Sequence, residues 1–294
     1  MSKKWLKVAL MVTAIATGTS IQVDAETVLY VPQDDRPVSL QYTVDTAKAA
    51  GMTVLTPPQN LISGKTYKGQ ADQIWNWVEQ NAGRADVMVL STDTLIYGGL
   101  VDSRKHNLPL STLENRLKRI EALKANHKNT RIYGFGTVMR SPRASGGGTE
   151  PSYYADYGPT IFQIAALQDK LDAGTLTQAE TQKLMSLQAS VPVEYLQDWF
   201  SRRQKNMQVN KDLIDEARNG VFAYFALGHD DTSQLSQSAL EGRYLNQYSK
   251  GIPRTQYGSF PGADQLGLLL MARSRTDESA EKPTFSVIYP LGGA

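Results

Sequence analysis

Four short motifs concentrate carboxylates: Gln33-Asp34-Asp35-Arg36-Pro37, Thr92-Asp93-Thr94, Gly228-His229-Asp230-Asp231-Thr232 and Gly262-Ala263-Asp264-Gln265. Each follows a short apolar run, and Met139-Arg140 follows another. Adjacent carboxylates repel when both are ionised, and enzymes use that repulsion to keep one protonated as a general acid. Asp230 and Asp231 are the expected acid and its partner, with Asp35 and Asp93 completing the pair or holding substrate hydroxyls. Asp34, His229 and Asp264 would line the same mouth, while Arg36, Arg140 and Arg203 would orient a ligand or tune the carboxylates. Plain structural readings compete, since an Asp ahead of a helix is a common N-cap, as Asp264 could be, and Asp34 or Asp35 could bridge to Arg36.

A helix expected from Tyr195 to Ala217 carries the apolar stripe Leu196, Trp199, Phe200, Met207, Ile214 and Ala217, and Arg203, Asn206 and Asn210 fall on that same line. Polar groups facing a core need partners, either internal or a bound ligand. The loop from Ser141 to Pro159 holds Glu150, Tyr153, Tyr154 and Tyr157, a composition that suits a lid with stacking surfaces or an unstructured loop. Tyr97-Gly98-Gly99 and Arg104 line the mouth or simply turn the chain.

Several chemistries lack their motifs. Gly64-Lys65-Thr66 has no glycine five residues upstream, so it is no phosphate-binding loop, and no Gly-x-Gly-x-x-Gly follows a strand. The histidines are His106, His127 and His229, without a His-Glu-x-x-His helix or a Gly-x-Ser-x-Gly elbow. There is no cysteine, hence no disulfide framework and no thiolate metal site.

The elements that must position these motifs alternate between two periods. Runs rich in Val, Ile, Leu and Tyr at Thr27–Thr56 (as Thr27–Val31 and Thr53–Thr56), Val87–Ser91, Arg131–Val138, Val221–Leu227 and Phe285–Tyr289 read as strands. Segments of helical period, Ser39–Ala50, Ala71–Asn81 and Leu113–Ala125, separate them. The expected fold is α/β, a mostly parallel sheet covered by helices, barrel-like or layered, with a helical insertion of two or three helices around residues 159–220. Ser111 to Glu114 and Thr177 to Glu180 read as capping boxes. In such sheets the ligand site lies beyond the carboxyl ends of the strands, where every acidic motif falls.

The N-terminus has its own plan. Lys3 and Lys4 precede an apolar stretch from Trp5 to Ile21, followed by Val23-Asp24-Ala25, the pattern of a secretory signal peptide over residues 1–25. The expectation is a secreted or extracytoplasmic chain starting at Glu26, a single α/β domain over 26–294 with no stable membrane anchor after cleavage. The chain has 31 Lys and Arg against 29 Asp and Glu; without Lys3, Lys4, Lys7 and Asp24 the remainder carries 28 of each. A neutral surface offers no electrostatic case for nucleic acid. The last residues, Tyr289-Pro290-Leu291-Gly292-Gly293-Ala294, stop where an α/β unit continues into a helix, which reads as a C-terminally truncated product.

Asp34-Asp35-Arg36-Pro37, Asp93-Thr94-Leu95, Tyr97-Gly98-Gly99-Leu100, Ser103-Arg104, Arg203 with Asn206, Gly228-His229-Asp230-Asp231 and Gly262-Ala263-Asp264 occur in this order. Together they resemble the uncharacterised bacterial family called domain of unknown function 4127, over most of the chain after the leader. Gln33 and Gln265 depart from the family pattern, an acid being common at the second position. The resemblance implies no established reaction.

Function at this stage rests on site chemistry. The leading expectation is a carbohydrate-active, glycosidase-like hydrolase of amino-sugar or cell-wall glycans, a class that needs two carboxyl groups flanking the bond and no cofactor. The alternative is a hydrolase in which Asp35, Asp93, His229 and Asp231 hold a divalent metal. A third is a non-catalytic extracytoplasmic protein that binds a small molecule or glycan.

Overall fold

The computed structural model describes residues 25–144, 147–231 and 233–279, together with 284 and 286. But for Ala25 and Ser286, the expected leader and the expected strand Phe285–Tyr289 lie outside these residues.

Chain order is β1 (Thr27–Val31), α1 (Gln41–Ala49), β2 (Thr53–Leu55), α2 (Ala71–Asn81), β3 (Val87–Ser91), α3 (Thr92–Tyr97), α4 (Leu100–Ser103), α5 (Leu110–Asn126) and β4 (Arg131–Val138). There follow α6 (Tyr154–Asp172), α7 (Gln178–Ser190), α8 (Val193–Arg218), β5 (Tyr224–His229), α9 (Gln237–Tyr248), β6 (Tyr257–Pro261) and α10 (Leu266–Glu278). The strands form one sheet in the order β2-β1-β3-β4-β5-β6, and every pair in it is parallel. Among the described residues β2 and β6 are edges, so the layered form of the expected fold is the one adopted and the barrel form is not.

Continuous apolar strands are what a sheet covered on both faces requires. Side chains alternate between the faces, so Leu29, Val31, Met88 and Leu90 pack with Trp75 and Val78 of α2, Leu113 and Leu117 of α5, and Val209 and Leu213 of α8. Val28, Tyr30, Val87, Val89, Tyr133 and Phe135 face the other way, onto Ala47 of α1 and Leu270 and Met271 of α10. A third core, of Ile161, Ile164, Leu184, Trp199 and Tyr154, joins α6, α7 and the start of α8, the three helices of the insertion.

Four local expectations are corrected. Strand β5 starts at Tyr224 rather than Val221, because Phe222 turns in to stack on Phe225 before pairing begins, and His229 closes the strand instead of following it. The sixth described strand is β6, the short run ahead of the Asp264 motif, which Gly258 and Ser259 keep from reading as a strand. Helix α5 begins at Leu110, with Pro109 as its N-cap and no side-chain cap, so Ser111 lies within the helix and forms no capping box. The insertion opens at Tyr154, five residues before Pro159, which α6 absorbs in its second turn. The capping box of Thr177 and Glu180 is present. Among the described residues no helix is long and apolar enough to cross a membrane.

Candidate functional site

Strand β1 runs outward to β2 on one side, while β3 leads to β4 on the other. The chain therefore reverses its winding between β1 and β3, and a crevice opens beyond their carboxyl ends. A cavity of about 270 Å3 lies at this rim, lined by Asp34 and Arg36 after β1, Gly64 and Lys65 after β2, and Leu100, Val101 and Arg104 after β3. Arg140 and Thr149 after β4, Asp230 after β5 and Asp264 after β6 complete the wall.

Arg36 ties the two outer acids together. Its Nε donates to Asp34 Oδ2 at 2.8 Å and its Nη2 to Asp264 Oδ1 at 2.7 Å, joining residues 228 apart in the sequence. On the inner wall Arg104 forms an ion pair with Asp230, and only 4% of Arg104 is exposed. Burial opposes both charges, raising the Asp230 carboxyl and lowering the Arg104 guanidinium from their ordinary values; the pair attraction, and for Asp230 the nearby Arg140, oppose those shifts. The negative charge of Asp264 also raises Asp230. Arg104 Nε has no hydrogen-bond partner although it is buried. Arg140 is clamped by Glu150 through Nε at 2.7 Å and by Thr149 through Nη2 at 2.7 Å.

Asp93 sits behind this wall, in the first turn of α3, which starts directly after β3 because Ser91 Oγ accepts the Thr94 N–H at 3.3 Å. The helix can lie against β4 because residue 136 is glycine: a Cβ there would fall 2.4 Å from Thr92 Oγ1. The Asp93 carboxylate accepts the Thr137 hydroxyl at 2.7 Å. Burial pushes its pKa to about 7, against the Thr137 hydrogen bonds, and the charge of Asp230 adds to the rise.

The other expected site residues are placed elsewhere. Asp231 follows Asp230 but points away, accepting the N–H of Ser141 at 3.3 Å and of Ser233 at 2.9 Å. The expected acid pair is thus not a pair. Asp35 stands outside the cavity wall and accepts the Tyr67 hydroxyl. Tyr97 is buried, its ring 4.9 Å from that of His106. His229 lines a different cavity and bonds Ser259. Arg203 spends its guanidinium on Glu241 (2.7 Å from both Nε and Nη2) and on the carbonyls of Met139 (2.6 Å) and Arg140 (2.9 Å). Asn206 donates to Ser103 O at 2.8 Å and pairs with His106, and Asn210 donates to Thr137 O at 3.3 Å. The polar stripe of α8 therefore has internal partners: it fixes the end of β4, and with it Arg140, rather than touching a ligand in this cavity.

The metal set expected from the sequence does not converge. Asp35 and Asp93 lie in separate environments, away from the second cavity that His229 and Asp231 share, and among the described residues no group of three or more His, Asp or Glu is placed to hold a metal ion. The aromatics of the expected lid are also committed. Tyr153 stacks on Tyr195 at 4.7 Å, Tyr157 packs on it at 5.5 Å, and Tyr154 lies 4.7 Å from Trp199. Lys65 and Thr149 also reach the cavity, although no motif marks them: a lone lysine in a polar loop carries no periodic signal.

An open parallel sheet with helices on both faces and a polar cavity at its switch point defines a doubly wound α/β protein. The sequence model described as protein of unknown function, DUF4127, matches residues 28–294, and the chain belongs to that family. No curated protein and no solved structure matches it.

Proposed function

We propose that this chain is an exported glycosidase-like hydrolase acting outside the cytoplasmic membrane on amino-sugar or cell-wall glycans. One observation carries the reading: Asp230 and Asp264, from the ends of β5 and β6, line one polar cavity of a size for a single small ring, Asp230 largely buried beside Arg104 and Asp264 about half exposed. Two carboxyl groups in such unlike surroundings are suited to serve as acid and base. Asp230, raised by burial, would give its proton to the leaving oxygen as the glycosidic bond breaks. Asp264, about half exposed and hydrogen-bonded by Arg36, would activate water or attack the sugar carbon. Arg140 and Lys65 would hold the ring from the opposite side. The basic and apolar N-terminal leader supports the compartment.

A second reading, a non-catalytic receptor for a small acidic ligand, is favoured by Arg104. A buried guanidinium with an unpartnered Nε lacks a hydrogen bond that a ligand oxygen could complete. The test is a panel of aryl glycosides, neutral and acidic, with the protein from Glu26 onward and with Asp230→Asn and Asp264→Asn. Turnover lost in both variants while melting stays cooperative supports the hydrolase. Saturable sugar binding with no product from any glycoside supports the receptor.

A further inference from the structure

We propose that Ser259 is a nucleophile, activated by His229, that cleaves small carboxylic esters at a second site, formed where β5 and β6 adjoin. This site shares no lining residue with the polar cavity, so it stands independently of the glycoside reading.

His229 is held from three directions. Its backbone pairs with Val138 on β4, and its carbonyl accepts the Gly262 N–H at 2.8 Å. Its ring lies on α9 at Gly242, where a Cβ would fall 2.5 Å from His229 Cε1. A glycine within a helix is unfavourable relative to alanine, and room for this ring is what the structure gains from it. Ser259 stands on the neighbouring strand, opposite Leu227, which brings its hydroxyl to 2.7 Å from His229 Nε2. Nucleophile and base within hydrogen-bond reach, with the base seated by a third element, is the arrangement that activates a serine. Burial holds the imidazole below its ordinary pKa, so the neutral ring that a base requires is the form present near neutral pH.

The pair opens into a cavity of about 300 Å3 whose walls include Ser233, Gln234, Asn246 and Phe260. The Asn246 side-chain amide has no hydrogen-bond partner among the described residues and lines the same wall, where it can donate to a developing oxyanion. In the first step Ser259 Oγ bonds to the acyl carbon as its proton passes to His229 Nε2. The tetrahedral adduct then expels the alcohol, which leaves with that proton, and an acyl ester remains on Ser259. Water attacks the same carbon, giving a proton to His229; the carboxylic acid departs and the proton returns to Ser259.

The test uses the protein from Glu26 onward, p-nitrophenyl acetate as substrate and a fluorophosphonate as label, with the labelled peptide located by mass spectrometry. The expected result is one label, on Ser259, and ester turnover that Ser259→Ala abolishes. His229→Gln should slow labelling by about 100-fold or more, the range that general-base assistance supplies. Gly242→Ala, which displaces the ring without changing its chemistry, should slow it as well. Labelling elsewhere, no labelling of the unaltered protein, or His229→Gln labelled at the unaltered rate would overturn the proposal. The labelling site is read on the unaltered protein, so that outcome does not depend on any variant folding.

Discussion

Asp230 and Asp231 adjoin in the chain, yet their carboxylates serve different cavities: Asp230 pairs with Arg104 in the polar one, and Asp231 anchors the backbone of Ser141 and Ser233 in the wall of the second. Both residues lie beyond β5, which ends at His229, and the bend at Asp230 turns the two side chains apart. Two neighbouring acids after a strand therefore supply one group to each cavity, and their chemistry must be judged separately.

Substitutions should separate them. Asp230→Asn keeps an acceptor for Arg104 but has no proton to give, so kcat/KM for a cleavable glycoside should fall by about 100-fold or more. Asp231→Asn keeps one acceptor for two N–H groups, and the expected outcome is a loss of about 1–2 kcal/mol in stability with glycoside turnover retained. Urea denaturation and steady-state kinetics on the two variants check this. Turnover lost in Asp231→Asn alone would return that residue to the mechanism.

Arg203 and Glu241 form a buried ion pair, and removing one partner leaves the other charged and desolvated. Arg203→Met should lower stability by about 3–5 kcal/mol. Adding Glu241→Gln should restore part of that loss, because the stranded charge is gone. A double-mutant cycle by urea denaturation measures the coupling. Ligand binding should weaken in the single variant too, since the carbonyls of Met139 and Arg140 lose their clamp and Arg140 lines the cavity.

These cases show what could be read from residues alone. Strands β1, β3 and β4 were legible because a sheet buried on both faces needs unbroken apolar runs, and the acidic motifs were legible because a parallel sheet sends its strand ends to one rim. Strand β6 was not, since an edge strand tolerates Gly258, Ser259 and Pro261. The polar stripe of α8 was visible as an anomaly, but its partner Glu241 comes from a helix 38 residues later, and nothing in Arg203 itself says whether a ligand or a carboxylate will meet it. Side-chain direction at Asp230 and Asp231 depends on the bend that follows β5, which nothing in the residue pattern announces.

Tyr154 gives a test of core against lid. Its ring is buried on Trp199, and its hydroxyl donates to Pro142 O at 2.8 Å. Tyr154→Ala should cost about 3–5 kcal/mol, as large aromatic truncations in cores do. Tyr154→Phe, which removes only the hydroxyl, should cost about 1 kcal/mol and leave ligand affinity unchanged. Thermal melting with and without ligand distinguishes the two roles: a sugar platform would show loss of affinity with little loss of stability.

Asp93 should leave a signature in the pH dependence of stability. In the unfolded chain an aspartate ionises near about 3.9, whereas burial holds Asp93 in the fold to about 7. Between those values the unfolded state has released a proton that the folded state keeps, so folding loses stability as pH rises through the interval. Three pH units correspond to a loss on the order of 4 kcal/mol, complete above about pH 7. Asp93→Asn has no such ionisation and still offers Thr137 an acceptor. Its stability relative to the unaltered protein should therefore climb from pH 4.5 to 7.5, each value taken from urea denaturation of both proteins in the same buffers. If the difference between the two proteins is constant across that range, Asp93 ionises as an ordinary aspartate and Arg104 outweighs its burial.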